Sequence, residues 1–387
     1  MNILYSAIDQ TVPGTTGGSV HVAAVAEGLA ALGHDVTALV TPGAPRGGQH
    51  PTGVRWVPMA PPLGSTHLRM ARASKIAKLA TALRPDVVIE RYHNFGGEAL
   101  TVARSVGALA VLEVNAPVVD YPGSGKAIVD RALLVRPMQR WRERLCRMAD
   151  LIVTPDAGIL PRETPSDRVR VLEWGADTDR FRPDVPAPAP FQRPSSATVA
   201  VFAGAFRSWH GAINLARALR ILQSRGRRDV GAVFVGNGPE LPRVRAEADG
   251  VDHLVFAGAL PHDAMPAALA VSDVGVAPFE PSAHPPLTLG FYWSPLKIFE
   301  YMAAGLPVVA PSIPRIQKLV EHGREGLLYD PGVPEALADA LVELTDAPLR
   351  ARLGGGARER AVREYSWAAH CRALDAAFHD ARQRRSA

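Results

Sequence analysis

An alternation of apolar strands and helices that occurs twice along the chain constrains the fold most. The stretch NILYSA predicts a buried strand, and SVHVAAVAEGLAALGHDV predicts a helix followed by the strand VTALV. The same order returns at ATVAVFAGAF and GAINLARALRILQSRG. Strands that alternate with helices predict a parallel sheet covered on both faces. We therefore expect an α/β protein with two Rossmann-like, doubly wound domains in tandem rather than one large sheet.

A proline-rich stretch without periodicity, RFRPDVPAPAPFQRPSS, separates the two repeats. The 387 residues are also too many for one ordinary core. We expect an N-terminal domain over residues 1–178 and a C-terminal domain over residues 179–365. Because such sheets bind ligands at the carboxyl ends of their strands, the glycine-bearing loops should face a cleft between the domains.

Composition limits the partners. No apolar run approaches the roughly 20 residues of a membrane span, and no basic flank precedes the first apolar residues, so we expect no signal peptide and a cytoplasmic location. Cys146 and Cys371 are too far apart in sequence to suggest a metal site or a disulfide framework. The net charge of +5 favours an anionic ligand or a membrane surface, although such an excess is ordinary in arginine-rich chains. Dispersed basic residues argue against nucleic acid as a partner.

The segment FYWSPLKIFEYMAAGLPVVAP carries the clearest chemistry. Ser294 can cap a helix, with the proline that follows it at the first helical position. The N–H groups of Leu296 and Lys297 would then point outwards beside the lysine ammonium, which suits a diphosphate. Glu300 lies one turn further in, where a carboxylate can accept from two ribose hydroxyls. An ordinary amphipathic helix with a capped start is the alternative.

This segment resembles the signature helix and following strand of the family 4 glycosyltransferases, which have the GT-B fold, use nucleotide sugars and retain the anomeric configuration. The resemblance covers nearly the whole chain. Further segments match in the family's order, namely TTGGSVHVAAVAEGLAALGHDVTAL, ERLCRMADLIVTPDAGI, EWGADTDRFRPD, VFVGNGPELPRV and YSWAAHCRALDAAFHDA. The resemblance implies that the last helix, over residues 366–387, crosses back to the N-terminal domain.

The resemblance also implies roles for single residues in the donor site. The second glutamate of the family's E-x7-E motif, which binds the ribose, corresponds to Glu300. The first glutamate, which contacts the donor sugar, falls at Tyr292. The nucleotide base is expected near the backbone of Leu260. A histidine of the family's first domain falls at Asn115, which can hydrogen-bond a sugar hydroxyl but cannot act as a base.

The family's cationic pair is a second departure. In GAFRSWHG its arginine position is Ala205 and its lysine position is His210. We expect Arg207 and Lys297 to supply the lost charge, together with His210 if that ring is protonated.

Two stretches of the first domain are further candidates. ERYHNFGGEAL ends a strand near Glu90, which could serve as a base or a sugar ligand, and places His93 in the following loop. In the opening loop, Gly17 and Gly18 would let the backbone approach the diphosphate or the transferred sugar, and Ser19 would begin the helix. A tight turn without a ligand is the alternative.

These features predict a glycosyltransferase that needs no metal or other cofactor and uses a donor of the UDP or GDP type. Helix N-termini and fixed cations would stabilise the leaving diphosphate. The family's route is a front-face displacement in which the leaving phosphate oxygen takes the acceptor's proton. DTD, at residues 177–179, resembles a metal-binding motif of another glycosyltransferase fold, but it lies in the interdomain segment. GNGPEL lacks the third glycine of a nucleotide fingerprint.

Three other functions are alternatives to a glycosyltransferase. An NAD(P)-dependent oxidoreductase expects G-x-G-x-x-G in the first loop and an acid after the second strand, whereas this chain has GTTGGS and Thr41. A GT-B epimerase or phosphorylase would keep the same fold. A nucleotide-sugar-binding relative that has lost catalysis would explain the departures at Tyr292, Ala205, His210 and Asn115.

The acceptor and the oligomeric state are not indicated by the sequence. A small glycoside, a natural product and a lipid-linked sugar all remain open as acceptors, because the loops at residues 42–75 and 116–136 match no pattern. The basic stretch RMARASKIAKLATALR could lie on the inner membrane face, or it could be a surface helix that leads into the next strand. We favour the surface helix.

Overall fold

The computed structural model describes residues 1–43, 53–185 and 190–386, which form two compact units. The first unit contains Met1–Trp174, Tyr292–Ser294 and Trp367–Ala387, and the second contains Gly175–Phe291 and Pro295–Ser366. The sequence instead predicts the boundary after residue 178. Parts of two predicted segments lie outside the described residues: 186–189 of the proline-rich stretch and 44–52 of the loop at residues 42–75.

The regular elements follow one another as the two repeats predict. The strands are β1 (Asn2–Val12), β2 (Asp35–Pro42), β3 (Val54–Pro58), β4 (Val87–Arg91), β5 (Leu109–Glu113), β6 (Leu151–Thr154), β7 (Val169–Val171), β8 (Thr198–Ala203), β9 (Val230–Val235), β10 (Leu254–Gly258), β11 (Val274–Val276), β12 (Val308–Pro311) and β13 (Gly326–Tyr329). The helices are α1 (Gly17–Ala31), α2 (Ala73–Leu83), α3 (Leu100–Ala103), α4 (Gly125–Ala132), α5 (Pro137–Met148), α6 (Ala212–Ser224), α7 (Leu241–Glu247), α8 (Met265–Ala270), α9 (Leu296–Ala303), α10 (Pro314–Leu319), α11 (Pro334–Glu343), α12 (Ala347–Glu364) and α13 (Trp367–Ser386).

Each unit is built on its own parallel sheet. The first sheet has the strand order β3-β2-β1-β4-β5-β6-β7, and the second has the order β10-β9-β8-β11-β12-β13. Every residue of β4, β5, β8 and β9 is buried, as expected for central strands of a sheet covered on both faces. The fold class is therefore confirmed. Helix α13 belongs to the first unit, where it packs on α1, so the predicted return of the last helix is confirmed as well.

The strands that the apolar pattern did not reveal lie at sheet edges. β3, β7 and β13 are terminal in their sheets and have three to five residues each. Only part of β3 and β7 is shielded from solvent, so neither stretch has the continuous apolar run of a central strand.

The opening glycine-rich loop is a helix start. Thr16 is the N-cap of α1, and its hydroxyl accepts from the backbone N–H of Ser19 at 3.2 Å. The helix thus begins at Gly17, which corrects the expectation that Ser19 begins it. A Cβ at Gly18 would lie 2.2 Å from the side-chain oxygen of Gln10, so a larger residue would displace that side chain.

Gly211 joins two loops at the middle of the second sheet. Its φ is +68°, and a Cβ at this position would lie 1.7 Å from the carbonyl oxygen of Pro278. The loop after β8 can approach the segment after β11 this closely only because residue 211 has no side chain.

We expect Gly211→Ala to destabilise the protein by at least ~2 kcal/mol, because backbone strain and a collision with fixed backbone add together. Gly226→Ala is the matched control: its φ is +74°, but an added Cβ would meet nothing within 4 Å. The control should cost only about 1 kcal/mol. Urea denaturation of both variants measures the difference, and equal losses would show that the close approach has no energetic consequence.

Candidate functional site

The strand order of the second sheet reverses at β8 and β11, which are neighbours. Ligands of such sheets bind outside the carboxyl ends of the strands at this reversal. Helix α9 is fixed there by Tyr301, whose hydroxyl accepts from the N–H of Ala203 at 2.7 Å. A Cβ at Gly275 would lie 2.4 Å from the Tyr301 ring, so this glycine makes room for the ring. The start of α9 is thereby held at the ends of β8 and β11.

Lys297, in the first turn of α9, is the most unusual side chain of this unit. Its ammonium lies 4.2 Å from the centre of the Phe202 ring and 5.2 Å from that of Phe279. It has no hydrogen-bond partner among the described residues. Burial lowers its pKa to about 7, and the negative charge of Glu300 only partly opposes this shift. Because a buried charge without a partner is costly, the arrangement suits an anion that supplies the missing hydrogen bonds.

The helix start itself is uncapped by any side chain. The N-cap of α9 is Pro295, and no side chain accepts from the first N–H groups. The expectation that Ser294 caps the helix is therefore wrong. Its hydroxyl accepts from the backbone N–H of Trp174 and donates to the carboxylate of Glu173, each at 2.8 Å. The start of α9 therefore has no side-chain cap among the described residues, which is the condition that an anion site at this helix end requires.

Glu300 lies one turn further along α9 and is only 7% exposed. Its carboxylate Oε1 accepts from Nε2 of His262 at 2.9 Å. His262 begins a short turn after β10, two residues beyond Leu260, and its ring packs 5.6 Å from that of Phe181. The sequence does not single out this histidine, because its position beside the predicted nucleotide-base region is the only signal. The carboxylate is thus oriented by an imidazole at the carboxyl end of β10.

The loop after β8 carries less charge than the sequence suggests. His210 donates from Nδ1 to the carbonyl of Ala205 at 2.6 Å. Burial, and next the positive charge of Lys297, lower the pKa of this ring to about 3. His210 is therefore neutral, with an unprotonated Nε2, so the condition under which it would add positive potential is not met. Arg207 is exposed on the same loop, with its guanidinium 5.7 Å from the centre of the Trp209 ring.

Tyr292 does not group with α9. It belongs to the first unit and is only 3% exposed. Burial raises the pKa of its phenol to about 12, and its ring lies edge-on to Trp293 at 5.5 Å. The predicted donor-site residues are therefore divided. The first unit holds Tyr292 and Ser294, and the second holds Lys297 and Glu300.

In the first unit, Asn115 follows β5 and faces Trp174. Its Oδ1 accepts from the indole N–H of that tryptophan at 3.1 Å. Its Nδ2 is buried and has no hydrogen-bond partner among the described residues. A Cβ at Gly17 would lie 3.8 Å from the same indole. The structure therefore brings Gly17 and Asn115 to one tryptophan and leaves an amide donor for a ligand.

Glu90 has a structural role, which corrects the expectation of a base or sugar ligand. The side chain is 0% exposed. One carboxylate oxygen accepts from the backbone N–H of Gly97, and the other accepts from those of Ala99 and Leu100 at 2.9 and 2.7 Å. Burial, and next the charge of Glu98, raise the pKa of the Glu90 carboxyl to about 8. Its acceptors are occupied in holding the loop after β4.

A buried network that the sequence analysis missed joins three strands to α1. The Glu113 carboxylate, on β5, accepts from the Tyr5 hydroxyl at 2.8 Å and from His21 at 3.2 Å. Arg91, at the end of β4, donates to Nδ1 of His21 at 3.3 Å. Because arginine can only donate, the His21 proton must be on Nε2, where it reaches the carboxylate. Burial and Arg91 lower the pKa of His21 well below its ordinary value, so this ring is neutral.

Neither a metal-binding cluster nor a membrane-spanning helix is found among the described residues. The described part of the chain contains no group of three or more His, Cys, Asp or Glu side chains arranged to hold a metal ion. Asp177 of the DTD sequence accepts from the backbone N–H groups of Asp179 and Arg180 at 3.2 and 3.1 Å, as in an ordinary turn. Across residues 1–43, 53–185 and 190–386, no helix is long and apolar enough to cross a bilayer.

Comparison with known proteins gives the family. A model described as "Glycosyl transferase 4-like domain" matches residues 16–162, and one described as "Glycosyl transferases group 1" matches residues 197–347. The chain belongs to the family 4 glycosyltransferases. The resemblance seen in the sequence is thereby confirmed.

Two curated relatives illustrate the range of the family. A GDP-mannose-dependent alpha-(1-6)-phosphatidylinositol monomannoside mannosyltransferase of Mycobacterium tuberculosis is 32% identical over 212 residues, covering 52% of this chain and 54% of that protein. The sulfoquinovosyl transferase SQD2 of Arabidopsis thaliana is 27% identical over 323 residues, covering 78% of this chain and 58% of that protein. The chain thus spans little more than half the length of these relatives.

Solved structures agree on the fold. Sucrose-phosphate synthase of Thermosynechococcus elongatus superposes with a TM-score of 0.72 at 19% identity, with 98% of each chain covered. Anabaena HepE in complex with UDP-glucose gives a TM-score of 0.66 at 18% identity, covering 97% of this chain and 98% of that one. At these identities the likeness concerns the fold alone.

We expect Lys297→Met to stabilise the ligand-free protein, because methionine removes a buried ammonium that has no hydrogen-bond acceptor among the described residues. The gain in Tm should be at least ~3 °C at pH 6. It should shrink towards pH 9, because the native lysine is then neutral whereas the unfolded lysine still carries its charge. Calorimetry at both pH values tests this.

Lys318→Met is the matched control, since Lys318 is an exposed lysine of α10. It should change the free energy of unfolding by less than about 0.5 kcal/mol. A Lys297→Met protein that is no more stable than the parent would contradict the description of this ammonium as buried without an acceptor.

Proposed function

We propose that the chain is a retaining glycosyltransferase that moves a sugar from a nucleotide diphosphate sugar, of the UDP or GDP type, to an acceptor hydroxyl without a metal ion. The observation that carries the proposal is the buried, unpartnered ammonium of Lys297 at the uncapped start of α9. A diphosphate is the anion that this site would suit, because its oxygens can accept both from the ammonium and from the helix N–H groups.

The leaving group is stabilised by fixed donors. Lys297 and the first N–H groups of α9 are held in place by the Tyr301 contact before the donor binds, so little reorganisation is needed as charge develops on the diphosphate. An anion beside Lys297 also raises its pKa from about 7, so that binding recruits the proton that completes the charge. Arg207, exposed on the loop after β8, adds a second cation.

The nucleoside and the sugar are held by neutral and acidic groups. Glu300, oriented by His262, accepts from the ribose hydroxyls, and the nucleotide base lies by Leu260. The neutral His210 presents an unprotonated Nε2 that accepts from a hydroxyl, instead of the ammonium that the family places there. Within the first unit, the buried Nδ2 of Asn115 has no hydrogen-bond partner among the described residues and is a donor for a hydroxyl.

For the chemical step we propose the front-face displacement that the family resemblance implies. The acceptor oxygen forms a bond to the anomeric carbon on the face from which the phosphate departs. The bond from that carbon to the phosphate oxygen breaks, and this oxygen takes the acceptor's proton. No protein side chain needs to act as base in this route, which agrees with the structural role of Glu90.

A lipid-linked sugar or a small glycoside is the acceptor class we favour. The mycobacterial relative is named for a phosphatidylinositol mannoside acceptor, and the plant relative for sulfoquinovosyl transfer. Two other relatives are named for inositol phosphate acceptors.

Nucleotide affinity should fall as pH rises from 7 to 9, by up to about tenfold per pH unit, because the charged form of Lys297 must be restored on binding. Titration calorimetry of UDP and GDP in buffers of different ionisation enthalpy should show uptake of about one proton at pH 8. Lys297→Arg keeps a permanent charge, so any binding by this variant should not depend on pH in this range. Flat affinity in the parent protein would refute the role of Lys297.

Incubation with UDP- and GDP-sugars, each with and without a glycoside or lipid-linked acceptor, tests the reaction. We expect release of nucleotide diphosphate only with acceptor, an unchanged anomeric configuration by NMR, and full activity in EDTA. Glu300→Gln should lower kcat/KM about tenfold or more with the ribonucleotide donor and much less with its 2′-deoxy analogue. A change in the donor alone would favour the epimerase alternative, and tight nucleotide binding without turnover would favour an inactive relative.

A further inference from the structure

The turn between α4 and α5 exposes more apolar surface than any function given above explains. Five apolar residues in this short stretch are 44–86% exposed: Ile128, Val129, Leu133, Leu134 and Val135. Leu134, at 86%, stands at the tip with a φ of +54°. A residue other than glycine is rarely found in that backbone region. The structure therefore tolerates strain at the position where an apolar side chain is most exposed.

The exposure is not the result of a loosely packed hairpin. Asp130 of α4 is buried and accepts from the backbone N–H groups of Met138 and Gln139, at 2.8 and 2.9 Å, at the start of α5. The guanidinium of Arg142, also buried, lies 3.3 Å from the same carboxylate and 3.0 Å from that of Asp120. The two helices are therefore fastened to each other on their inner side, and the apolar tip is held outward.

The same contacts leave the outer side strongly basic. Residues 125–148 contain seven Lys and Arg side chains but only two acidic ones. One acid, Asp130, is turned inward. Four exposed arginines, one directly before α5 and three within it, recur at helical spacing: Arg136, Arg140, Arg144 and Arg147. Spacings of four, four and three residues place them on one side of the helix.

We propose that this α4–α5 face, defined by the five exposed apolar residues with Arg131 and the four arginines of the α5 stripe, docks the protein on an anionic membrane surface. Apolar side chains at a tip can enter the acyl boundary while arginines beside them contact lipid phosphates. A nucleic acid would match the arginines but would leave the leucines and valines exposed to water. The proposal does not rest on the donor site, since every residue it uses lies outside that site.

The segment that the sequence offered for membrane contact is less suited. In RMARASKIAKLATALR, Arg69 is 0% exposed and lies 2.7 Å from Glu98 and 3.1 Å from Asp9. The apolar residues Ile76 and Ala80 of α2 are directed into the core. That stretch is a surface helix, as the sequence analysis favoured, and its apolar face is already covered.

Vesicle sedimentation with the full chain tests the proposal. We expect binding to vesicles of 70% phosphatidylcholine and 30% phosphatidylglycerol, little binding to phosphatidylcholine alone, and release of most of the protein at 0.5 M salt. Leu133→Ser with Leu134→Ser should lower the partition coefficient at least about tenfold. Arg140→Gln with Arg144→Gln should lower it by about twentyfold on the anionic vesicles.

Val362→Ser and Arg384→Gln are matched controls, because both residues are exposed and lie outside the α4–α5 face. They should leave the partition coefficient within about twofold of the parent. Circular dichroism melts show whether each variant is folded, and UDP and GDP binding should be unchanged in all of them. A second readout uses Leu134→Cys labelled with an environment-sensitive dye, whose emission should shift to the blue on anionic vesicles.

Several results would overturn the proposal. These are absence of binding to anionic vesicles, equal binding to neutral ones, and equal losses in the control variants. A dye attached through Leu134→Cys that stays in an aqueous environment on bound vesicles would also overturn it. If analytical ultracentrifugation showed that the parent is a dimer and the Leu133/Leu134 variant a monomer, the face would instead join two copies of the chain.

Discussion

The burial of one ammonium group organises the second unit. Lys297 lies between the rings of Phe202 and Phe279 with no hydrogen-bond acceptor among the described residues, and its cost is relieved only partly by these cation–π contacts. The side chain can remain there because Tyr301 fixes the helix and the sheet core surrounds the site. The site is thus prepared for a negative ligand before one arrives, and the unit accepts lower stability in return.

Parallel strands explain why residues far apart in sequence serve one site. Phe202 is the last residue but one of β8, Phe279 follows β11 and His262 follows β10. All these strands have their carboxyl ends at the same edge of the sheet. Glycines at which a side chain would collide with neighbouring backbone, such as Gly211, let the connecting loops meet there. The alternation of strands and helices was enough to predict this arrangement, because it depends only on strand direction and on which face is buried.

Individual side-chain roles were harder to predict, and the reasons are physical. Ser294 has the residue type and position of a helix cap, but the Trp174 N–H and the Glu173 carboxylate, 120 and 121 residues away, compete for its hydroxyl. Glu90 ends a strand at the ligand edge, yet backbone N–H groups from the next loop occupy it. His262 could not be paired with Glu300 from the sequence, since 38 residues separate them. Periodicity predicts burial, but hydrogen-bond partners depend on tertiary contacts.

The basic segments also show that tertiary contacts cannot be predicted from the sequence, here for charged side chains. Composition pointed to RMARASKIAKLATALR because its arginines and lysines stand out, but a sequence does not reveal that Arg69 neutralises the buried Glu98. Around α4 and α5 the reverse holds, because one of the two acids, Asp130, is buried between the helices and satisfied there, and the other, Glu143, lies beside Arg147 alone among the exposed arginines. The surface charge of a segment therefore depends on which of its charged side chains are buried and paired in the fold. Only the structure distinguishes a solvated helix from a face that can bind an anionic surface.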